Sequence, residues 1–272
     1  MVYRTILFEK INGIARLSFN RPERLNAISR ATIAEVNVVM DAVEADDDLA
    51  VLVLDGAGRA FSAGMDLKDD AAASISGPDQ WRQVLSEDLD FIMRFWDFPK
   101  PTIAVTHGYC LAAACELAMA CDMTIAEEGT YFGEPELKFG SVITAMIMPY
   151  LTGPKFAKEL LLSADDRVSA ERALQIGLVN HVVPVGQGLT KAIAIAERIA
   201  VMDAAAVRLT KQAINGAFDA MGLRQALRTN LDLAIEIEAT ETPSRKAFKE
   251  IAGRDGLQAA LAWREARMDS KD

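Results

Sequence analysis

The segment 110–121, with the sequence CLAAACELAMAC, contains one acidic residue among otherwise apolar residues. That residue is Glu116, and no Lys or Arg lies within four positions of it. Burying an unpaired carboxylate costs several kcal/mol unless it is protonated or hydrogen-bonded. Glu116 is therefore either a structural, hydrogen-bonded glutamate or a catalytic acid whose pKa desolvation raises into the range useful for proton transfer.

A second acidic residue, Glu136, follows Pro135 in the segment 132–140 and directly precedes an apolar stretch. A Pro-Glu pair commonly begins a helix, where the carboxylate stabilises the N-terminus, so Glu136 by itself has a structural explanation. Together, Glu116 and Glu136 predict one site in which two carboxyl groups in different environments accept and donate a proton.

The segment 58–68 follows an apolar, strand-like run and contains two glycines and several small residues. Its backbone N–H groups could approach a ligand closely, although a tight turn between a strand and a helix would have the same composition. It matches neither a dinucleotide fingerprint nor a Walker A motif. A further alternative is nucleophilic catalysis by Cys110, which would need His107 or His181 as its base.

Alternating strands and helices are predicted to position these residues in an α/β architecture. Short β-rich runs predict strands at 13–19, 49–55, 102–107 and 123–126. Between them, Ser29 can cap one amphipathic helix, and residues 80–97 resemble a second. Beyond residue 188 the pattern is helical, over 189–202, 204–221, 222–240 and 255–268. These last helices either mediate oligomerisation or cover the core of their own chain.

The composition excludes several classes of protein. Of the 272 residues, 51 % are hydrophobic and 25 % are charged, which is typical of a globular domain and excludes a disordered chain or a disulfide scaffold. The net charge of −10 argues against a nucleic-acid partner, and no apolar run is long enough for a membrane helix. The three cysteines are expected to be buried and unpaired, and two distant histidines do not make a zinc site, so no metal is expected. With no apparent secretory signal, these features predict a cytoplasmic protein.

Residues 1–30 carry a local excess of positive charge in this acidic chain. Against Glu9 and Glu23, the basic residues are Arg4, Lys10, Arg16, Arg21, Arg24 and Arg30. The excess is either a solvated face or a cationic rim for an anionic small molecule.

Several of these segments, in this order, resemble the enoyl-CoA hydratase/isomerase family, also called the crotonase family. The resemblance covers 20–27, 61–68, 101–122, 132–140, 151–153, 159–162 and 169–179. Its most specific motifs are A-G-x-D at 63–66 and C-E-L-A-x-x-C-D at 115–122. It implies an α/β spiral of ββα units over residues 1–200. It also implies a C-terminal helical region, 201–272, that builds homotrimers or homohexamers.

Carried over by position, the resemblance implies a role for each site residue. The backbone N–H groups of Met65 and Ala113 form an oxyanion hole for a thioester carbonyl, Glu116 activates water, and Glu136 delivers a proton to Cα. The residues implied in binding the CoA part of the substrate are Arg24, Ala27, Ala63, Asp66, Leu67, Lys68 and, towards a neighbouring subunit, Phe248. No separate cofactor is implied, because CoA is part of the substrate.

The implied activity is that of an enoyl-CoA hydratase, which adds water across the double bond of a trans-2-enoyl-CoA, as in fatty-acid β-oxidation. Isomerisation, thioester hydrolysis and retro-aldol cleavage are alternatives within the family, and a non-catalytic acyl-CoA-binding or RNA-binding relative is an alternative outside catalysis. The chain departs from the family pattern at two places. Alanines at 112–114 replace the usual glycine triplet, and the segment 143–147 replaces a Pro-Gly-rich turn in which the N–H at the position of Thr144 normally helps to hold the water.

Overall fold

The computed structural model describes residues 2–67, 69, 75 and 77–269, with side chains up to residue 267. This part of the chain contains nine strands, twelve α-helices and one 3-10 helix, Pro22–Arg24. The strands are β1 (Ile6–Ile11), β2 (Ile14–Phe19), β3 (Val51–Gly56), β4 (Thr102–Thr106), β5 (Tyr109–Leu111), β6 (Met123–Glu127), β7 (Tyr131–Gly133), β8 (Val168–Ser169) and β9 (His181–Val183). The helices are α1 (Arg30–Glu44), α2 (Gly77–Asp97), α3 (Ala113–Ala120), α4 (Glu136–Phe139), α5 (Met148–Thr152), α6 (Pro154–Ser163), α7 (Ala170–Gln175), α8 (Gly188–Ala200), α9 (Ala204–Ala220), α10 (Leu223–Ala239), α11 (Pro243–Asp255) and α12 (Leu257–Asp269).

The strands form two sheets, and between β4 and β7 the chain alternates from one sheet to the other. The larger sheet has the order β1-β2-β3-β4-β6-β9 and is parallel except for the antiparallel pair β1 and β2. The smaller sheet has the order β5-β7-β8, and Ser62 extends it by a bridge to Cys110. The chain passes from β4 to β5 and into α3, and then from β6 to β7 and into α4. Each such turn adds one strand to each sheet, which confirms the expected spiral of ββα units.

The central strands β3 and β4 of the large sheet are buried on both faces, as is usual for a parallel sheet. In β3, Leu52 and Leu54 face the main core, whereas Val51 and Val53 face a second apolar cluster. Helix α8 covers this second cluster with small residues such as Ala192. The continuous apolar run in β3 therefore reflects burial from both sides.

Several local predictions are confirmed. The predicted strands correspond to β2, β3, β4 and β6, and Ser29 caps α1 by accepting a hydrogen bond of 3.2 Å from the Thr32 N–H. Helix α11 was not predicted, because Pro243 was taken as a boundary between helices. In the structure Pro243 is the first residue of α11, directly after the N-cap Thr242. A backbone N–H at this position has no acceptor within the helix, so proline, which has no N–H, is well tolerated there.

The C-terminal helices pack on the core of their own chain. Leu223 and Leu227 of α10 belong to the main core. On α9, Lys211 pairs with Asp122 at 2.7 Å. These contacts agree with the interpretation that the last helices cover the core of their own chain. A role of residues 201–272 in forming trimers stays a prediction. Within the described ranges, none of the helices has the length and apolarity needed to cross a membrane.

Candidate active site

The start of helix α3 carries one of the predicted N–H donors. Ala113 is the first residue of this helix, so its N–H has no acceptor within the helix. Ala112 before it adopts φ 55° and ψ −137°, a conformation that side-chain-bearing residues seldom adopt. Among the described residues, no acceptor lies within hydrogen-bonding reach of the Ala113 N–H, which is therefore available to a ligand.

Met65 supplies the second predicted donor from the segment after β3. The Ile28 N–H donates to Gly64 O, and the Asp66 N–H donates to Ile28 O, both at 2.9 Å. In this parallel bridge the Met65 N–H points away from Ile28, and the described part of the chain offers it no acceptor.

Gly64 brings the two donors together. It has φ +88°, and a Cβ built on it would lie 2.7 Å from Ala112 Cβ and 3.2 Å from the Ala113 nitrogen. Only glycine allows so close an approach of the two backbone segments. The structure thus places the Met65 and Ala113 N–H groups side by side, as an oxyanion hole requires.

Glu116 lies in the first turn of α3 and is 1 % exposed. Its Oε1 accepts a hydrogen bond of 2.9 Å from the Thr144 N–H, and its Oε2 accepts one of 2.7 Å from the Ala145 N–H. Burial raises the pKa of Glu116 to about 7, although both backbone donors act in the opposite direction. The side chain is therefore both hydrogen-bonded, as in the structural interpretation, and tuned for proton transfer. The Thr144 N–H, which the family pattern assigns to water, is occupied by Glu116 instead.

Glu136 is the first residue of α4, directly after Pro135. The Ala112 N–H donates to Gly133 O at 2.8 Å, which fixes the end of β7 beside the start of α3. Glu136 Oε2 is buried without a hydrogen-bond partner among the described residues. Burial, and then the charge of Glu116, raise the pKa of Glu136 to about 8. The structure therefore brings the two predicted carboxyl groups to one place.

A third carboxyl group, that of Glu134, belongs to the same cluster and was missed by the sequence analysis. One oxygen from each of Glu116, Glu134 and Glu136 lies within 4.8 Å of the others. Glu134 is 1 % exposed, and neither of its oxygens has a hydrogen-bond partner in the described chain. Burial raises its pKa well above the usual range. No regular periodicity could have predicted this position, because Pro135 between the two glutamates has φ −80° and ψ 7° and Glu136 already belongs to α4.

A cavity of about 330 Å³ opens beside these carboxyl groups. Besides Glu134 and Glu136, its lining is almost entirely apolar, and it comprises Leu137, Val142, Ile143, Met146, Pro149, Pro154, Ala157, Lys158, Leu161 and Leu162. The arrangement suits a hydrocarbon group whose reacting carbons reach the carboxyl groups. Burial raises the pKa of all three carboxyl groups, which favours the exchange of protons in this cluster.

Asn230 of α10 is a second functional candidate that the sequence analysis missed. Its buried Nδ2 donates to Ile143 O and to Thr144 O, both at 2.9 Å. It thereby holds the segment whose N–H groups at Thr144 and Ala145 bind Glu116. No local pattern could have revealed this contact, since Asn230 is 86 residues from Thr144.

The predicted CoA-binding residues lie largely on two adjoining loops. The Ala63 N–H donates to Leu25 O at 3.0 Å, which places Arg24 and Ala27 beside Ala63. Asp66 pairs with Arg21 at 2.8 Å and with Arg24 at 3.5 Å, and Leu67 beside it is 59 % exposed. The structure therefore groups Arg24, Ala27, Ala63, Asp66 and Leu67, whereas Lys68 lies outside the described residues.

Two other expectations receive less support. Phe248 is buried in its own chain, where its ring meets that of Phe139 edge to face at 5.8 Å, and its contact with a neighbouring subunit's ligand stays a prediction.

Most of the basic side chains in residues 1–30 are paired with carboxylates. The pairs are Lys10 with Asp46, Arg16 with Asp55, Arg21 and Arg24 with Asp66, and Arg30 with Asp88.

The nucleophilic alternative is not supported by the geometry. Cys110 is buried, and its Sγ lies 3.5 Å from Ala114 O, to which it donates. The His107 Nε2 lies 3.0 Å from Gly58 O. All three cysteines are buried and unpaired, as predicted.

Comparison with known proteins agrees with the site and the fold. Residues 9–254 match the family described as enoyl-CoA hydratase/isomerase. The chain is 34 % identical over 277 residues to a crotonyl-CoA hydratase of Syntrophomonas wolfei, with 100 % of each chain covered. It is 32 % identical to a short-chain-enoyl-CoA hydratase of Clostridium acetobutylicum, covering 98 % of this chain and 97 % of the relative.

A solved structure extends the same likeness to three dimensions. The crystal structure of an enoyl-CoA hydratase/isomerase from Xanthobacter autotrophicus Py2 is 50 % identical, with a TM-score of 0.95, and the match covers 98 % of this chain and 99 % of that one. A match of this extent in sequence and fold shows common descent. The chain belongs to the enoyl-CoA hydratase/isomerase family.

Proposed function

We propose that the protein is an enoyl-CoA hydratase, which adds water across the α,β double bond of a trans-2-enoyl-CoA. The observation that carries the proposal is the meeting of the Glu116 and Glu136 carboxyl groups near the start of α3, where the Met65 and Ala113 N–H groups have no acceptor among the described residues. The named relatives, which are enoyl-CoA or crotonyl-CoA hydratases, support the same activity.

In this reaction the thioester oxygen lies between the Met65 and Ala113 N–H groups. Glu116 takes a proton from water as the water oxygen bonds to Cβ, and the π electrons move to the thioester, which becomes an enolate. The two N–H donors stabilise the negative charge that develops on the oxygen, a contribution of several kcal/mol in a preorganised site. Glu136 then gives its proton to Cα, and the carbonyl re-forms. The product is the 3-hydroxyacyl-CoA.

The two carboxyl groups must differ in protonation for this mechanism to operate. The pKa of Glu116 is raised to about 7 and that of Glu136 to about 8, so near neutral pH the first is the better base and the second the better acid. Two effects favour this order: the backbone donors stabilise ionised Glu116, and the charge of Glu116 raises the pKa of Glu136.

The surrounding surfaces accommodate the rest of the substrate. The apolar cavity beside Glu136 takes the acyl chain, and the loops with Arg24, Ala27, Ala63, Asp66 and Leu67 take the CoA part. Lys68 belongs to the same proposed CoA site on the strength of its sequence position.

Assembly into homotrimers or homohexamers in the cytoplasm is part of this proposal. Large apolar side chains are exposed at the end of α8 and along α9, as an interface between subunits would require: Val201, Met202, Leu209 and Ile214. Sedimentation at several protein concentrations tests the assembly, and a monomer at all of them would contradict it.

The experiment for the activity follows the absorbance of the conjugated enoyl thioester. The protein is mixed with trans-2-enoyl-CoAs of four to twelve carbons, and loss of absorbance with formation of 3-hydroxyacyl-CoA is expected. E136Q keeps the shape of the side chain but has no acidic proton, and it is expected to lower kcat by about 100-fold or more. A wild-type protein that hydrates none of these thioesters would refute the proposal.

Double-bond isomerisation is the second candidate, and one observation favours it. The Thr144 N–H donates to Glu116 rather than being available to water, while Glu136 alone could move a proton between two carbons. An isomerase would convert 3-enoyl-CoA into the conjugated 2-enoyl-CoA without producing the 3-hydroxy compound. Product analysis by mass spectrometry distinguishes the two reactions, because only hydration adds the mass of water.

A further inference from the structure

We propose that Glu134 is a positioning residue of the active site, a protonated carboxylic acid whose O–H hydrogen-bonds the Glu136 carboxylate after Glu136 has given up its proton. The inference rests on the proposed function, in which Glu136 loses a proton in every turnover. It assigns a task to a carboxyl group that the two-glutamate mechanism does not use.

The geometry limits how the three carboxyl groups can satisfy one another. Oxygens of Glu116, Glu134 and Glu136 lie within 4.8 Å of each other. An ionised carboxylate only accepts hydrogen bonds, whereas a protonated one also donates. Glu116 has two backbone donors, and Glu134 has none among the described residues. Glu134 is therefore the group that most favours keeping its proton.

The other groups that face Glu134 reinforce this protonation. Cys115 and Glu116 approach from α3 and Glu136 from α4, and each of them raises the pKa of Glu134 in addition to the effect of burial. Asp88 of α2 acts in the same direction on Glu116. Two cations lie on the neighbouring helices: Lys138 of α4 is paired with Asp166 at 2.8 Å, and Lys158 of α6 lines the same cavity as Glu134. Among the described ion pairs, neither cation is joined to Glu134.

Hydration moves one negative charge through this cluster. Before the reaction the charge lies on Glu116, where the N–H groups of Thr144 and Ala145 stabilise it. Afterwards Glu116 holds the proton from water, and the charge lies on Glu136, whose buried Oε2 has no donor in the described chain. The O–H of Glu134 is within the cluster and can supply that donor. Without it, the charge would move from a stabilised position to an unstabilised one.

Two variants at this position separate a donor from a merely structural side chain. E134L has a similar volume but no donor, and it is expected to lower kcat by about 10- to 100-fold with little change in KM, the effect of one hydrogen bond to a charged group. The descending limb of its pH profile should move to higher pH, because ionised Glu136 is less stable. E134Q keeps a donor of the same shape and is expected to restore most of kcat.

Thermal unfolding accompanies these measurements. Replacing a buried, unpartnered carboxyl group by leucine is expected to leave the melting temperature equal to or above that of the wild type. A stable but slow E134L that E134Q rescues would support the proposal. Wild-type kcat and pH profile in E134L, or equal damage in both variants, would overturn it.

Infrared difference spectroscopy tests the protonation without any substrate. The wild-type minus E134Q spectrum at pH 9 should contain the C=O band of a protonated carboxylic acid, and its absence would refute the inference for Glu134. An inactive wild-type protein that shows the band would refute the hydratase proposal while supporting a protonated Glu134. The two failures are therefore distinguishable.

Discussion

At the scale of single residues, unusual backbone conformations decide where the two N–H donors point. Ala112 has a positive φ of 55°, and Gly64 opposite it has φ +88°. A positive φ costs an alanine of the order of 1 kcal/mol, so the conformation of Ala112 persists because the surrounding structure imposes it. This unfavourable conformation places the Ala113 N–H beside that of Met65, at a cost in stability.

Gly64→Ala tests this arrangement. The added methyl group meets Ala112 Cβ and the Ala113 nitrogen, so the two segments must separate. We expect kcat/KM for hydration to fall by about 100-fold or more, the loss typical of one oxyanion donor. Gly129→Ala is the matched control, because Gly129 also has a positive φ, of +78°, but a methyl group there meets no atom within 4 Å. It should lose stability and keep its activity, and equal losses of activity in both variants would contradict the assignment.

The raised pKa values of the two glutamates predict a bell-shaped pH profile. Rate rises with pH as Glu116, with a pKa raised to about 7, loses its proton and becomes a base. It falls again as Glu136, with a pKa raised to about 8, loses the proton it must donate. The measured limbs belong to the coupled pair rather than to either residue. We expect kcat/KM to peak between pH 7 and 8, and a flat profile from pH 5 to 9 would contradict these roles.

At the scale of elements, helix α10 acts as the support of the active-site loop. Asn230 binds the carbonyl groups of Ile143 and Thr144, and Glu238 on the same helix binds the Ser141 hydroxyl group. Glu238 is itself paired with Arg245 of α11, and both side chains are buried. The C-terminal helices therefore determine where the donors to Glu116 lie, whatever their part in assembly.

Asn230→Leu is predicted to damage both stability and catalysis. It leaves two carbonyl groups without their donor, which costs about 1–3 kcal/mol of the free energy of unfolding, and it frees the loop that holds Glu116. We expect kcat to fall more than 10-fold. Asn215→Leu is the control, because Asn215 Nδ2 donates to Trp96 O at 2.9 Å, outside the loop that binds Glu116. Denaturant unfolding and kcat of both variants check the prediction, which fails if the control loses as much activity.

At the scale of the whole molecule, the buried acids link folding to pH. Glu116 and Glu136 have folded-state pKa values raised from 4.5 to about 7 and about 8, and burial also raises the pKa of Glu134 well above its usual range. Between these limits the unfolded chain releases protons that the folded chain retains. The free energy of unfolding therefore falls as pH rises.

The expected result is a protein that is more stable at pH 5 than at pH 8. Denaturant unfolding across this range measures the slope, and the triple variant E116Q/E134Q/E136Q should reduce it, because it removes the three groups that bind these protons. Asp88 and Asp122, whose pKa values burial also raises, are retained in that variant and keep part of the slope. A wild-type slope in the triple variant would contradict the raised pKa values.

The limits of sequence reasoning follow from the range of the interactions involved. Glu116 could be singled out because an acid in an apolar helix is conspicuous by itself, and the Ser29 cap because its partner is three residues away. Asn230 could not, since its partners lie in another part of the chain and asparagine is common on helices. Glu134 was missed because its burial depends on the packing of α3 and α6 around it.

The sequence alone determined four of the described strands, the helical C-terminal region and the resemblance to the family, because periodicity and local motifs depend on neighbouring residues. Tertiary structure alone decided that three carboxyl groups form one cluster and that the Thr144 N–H donates to Glu116. Both depend on contacts between segments distant in the chain, where burial sets the energy of each charge. The sequence thus identifies candidate residues one at a time, and only the folded structure brings their side chains together in one site.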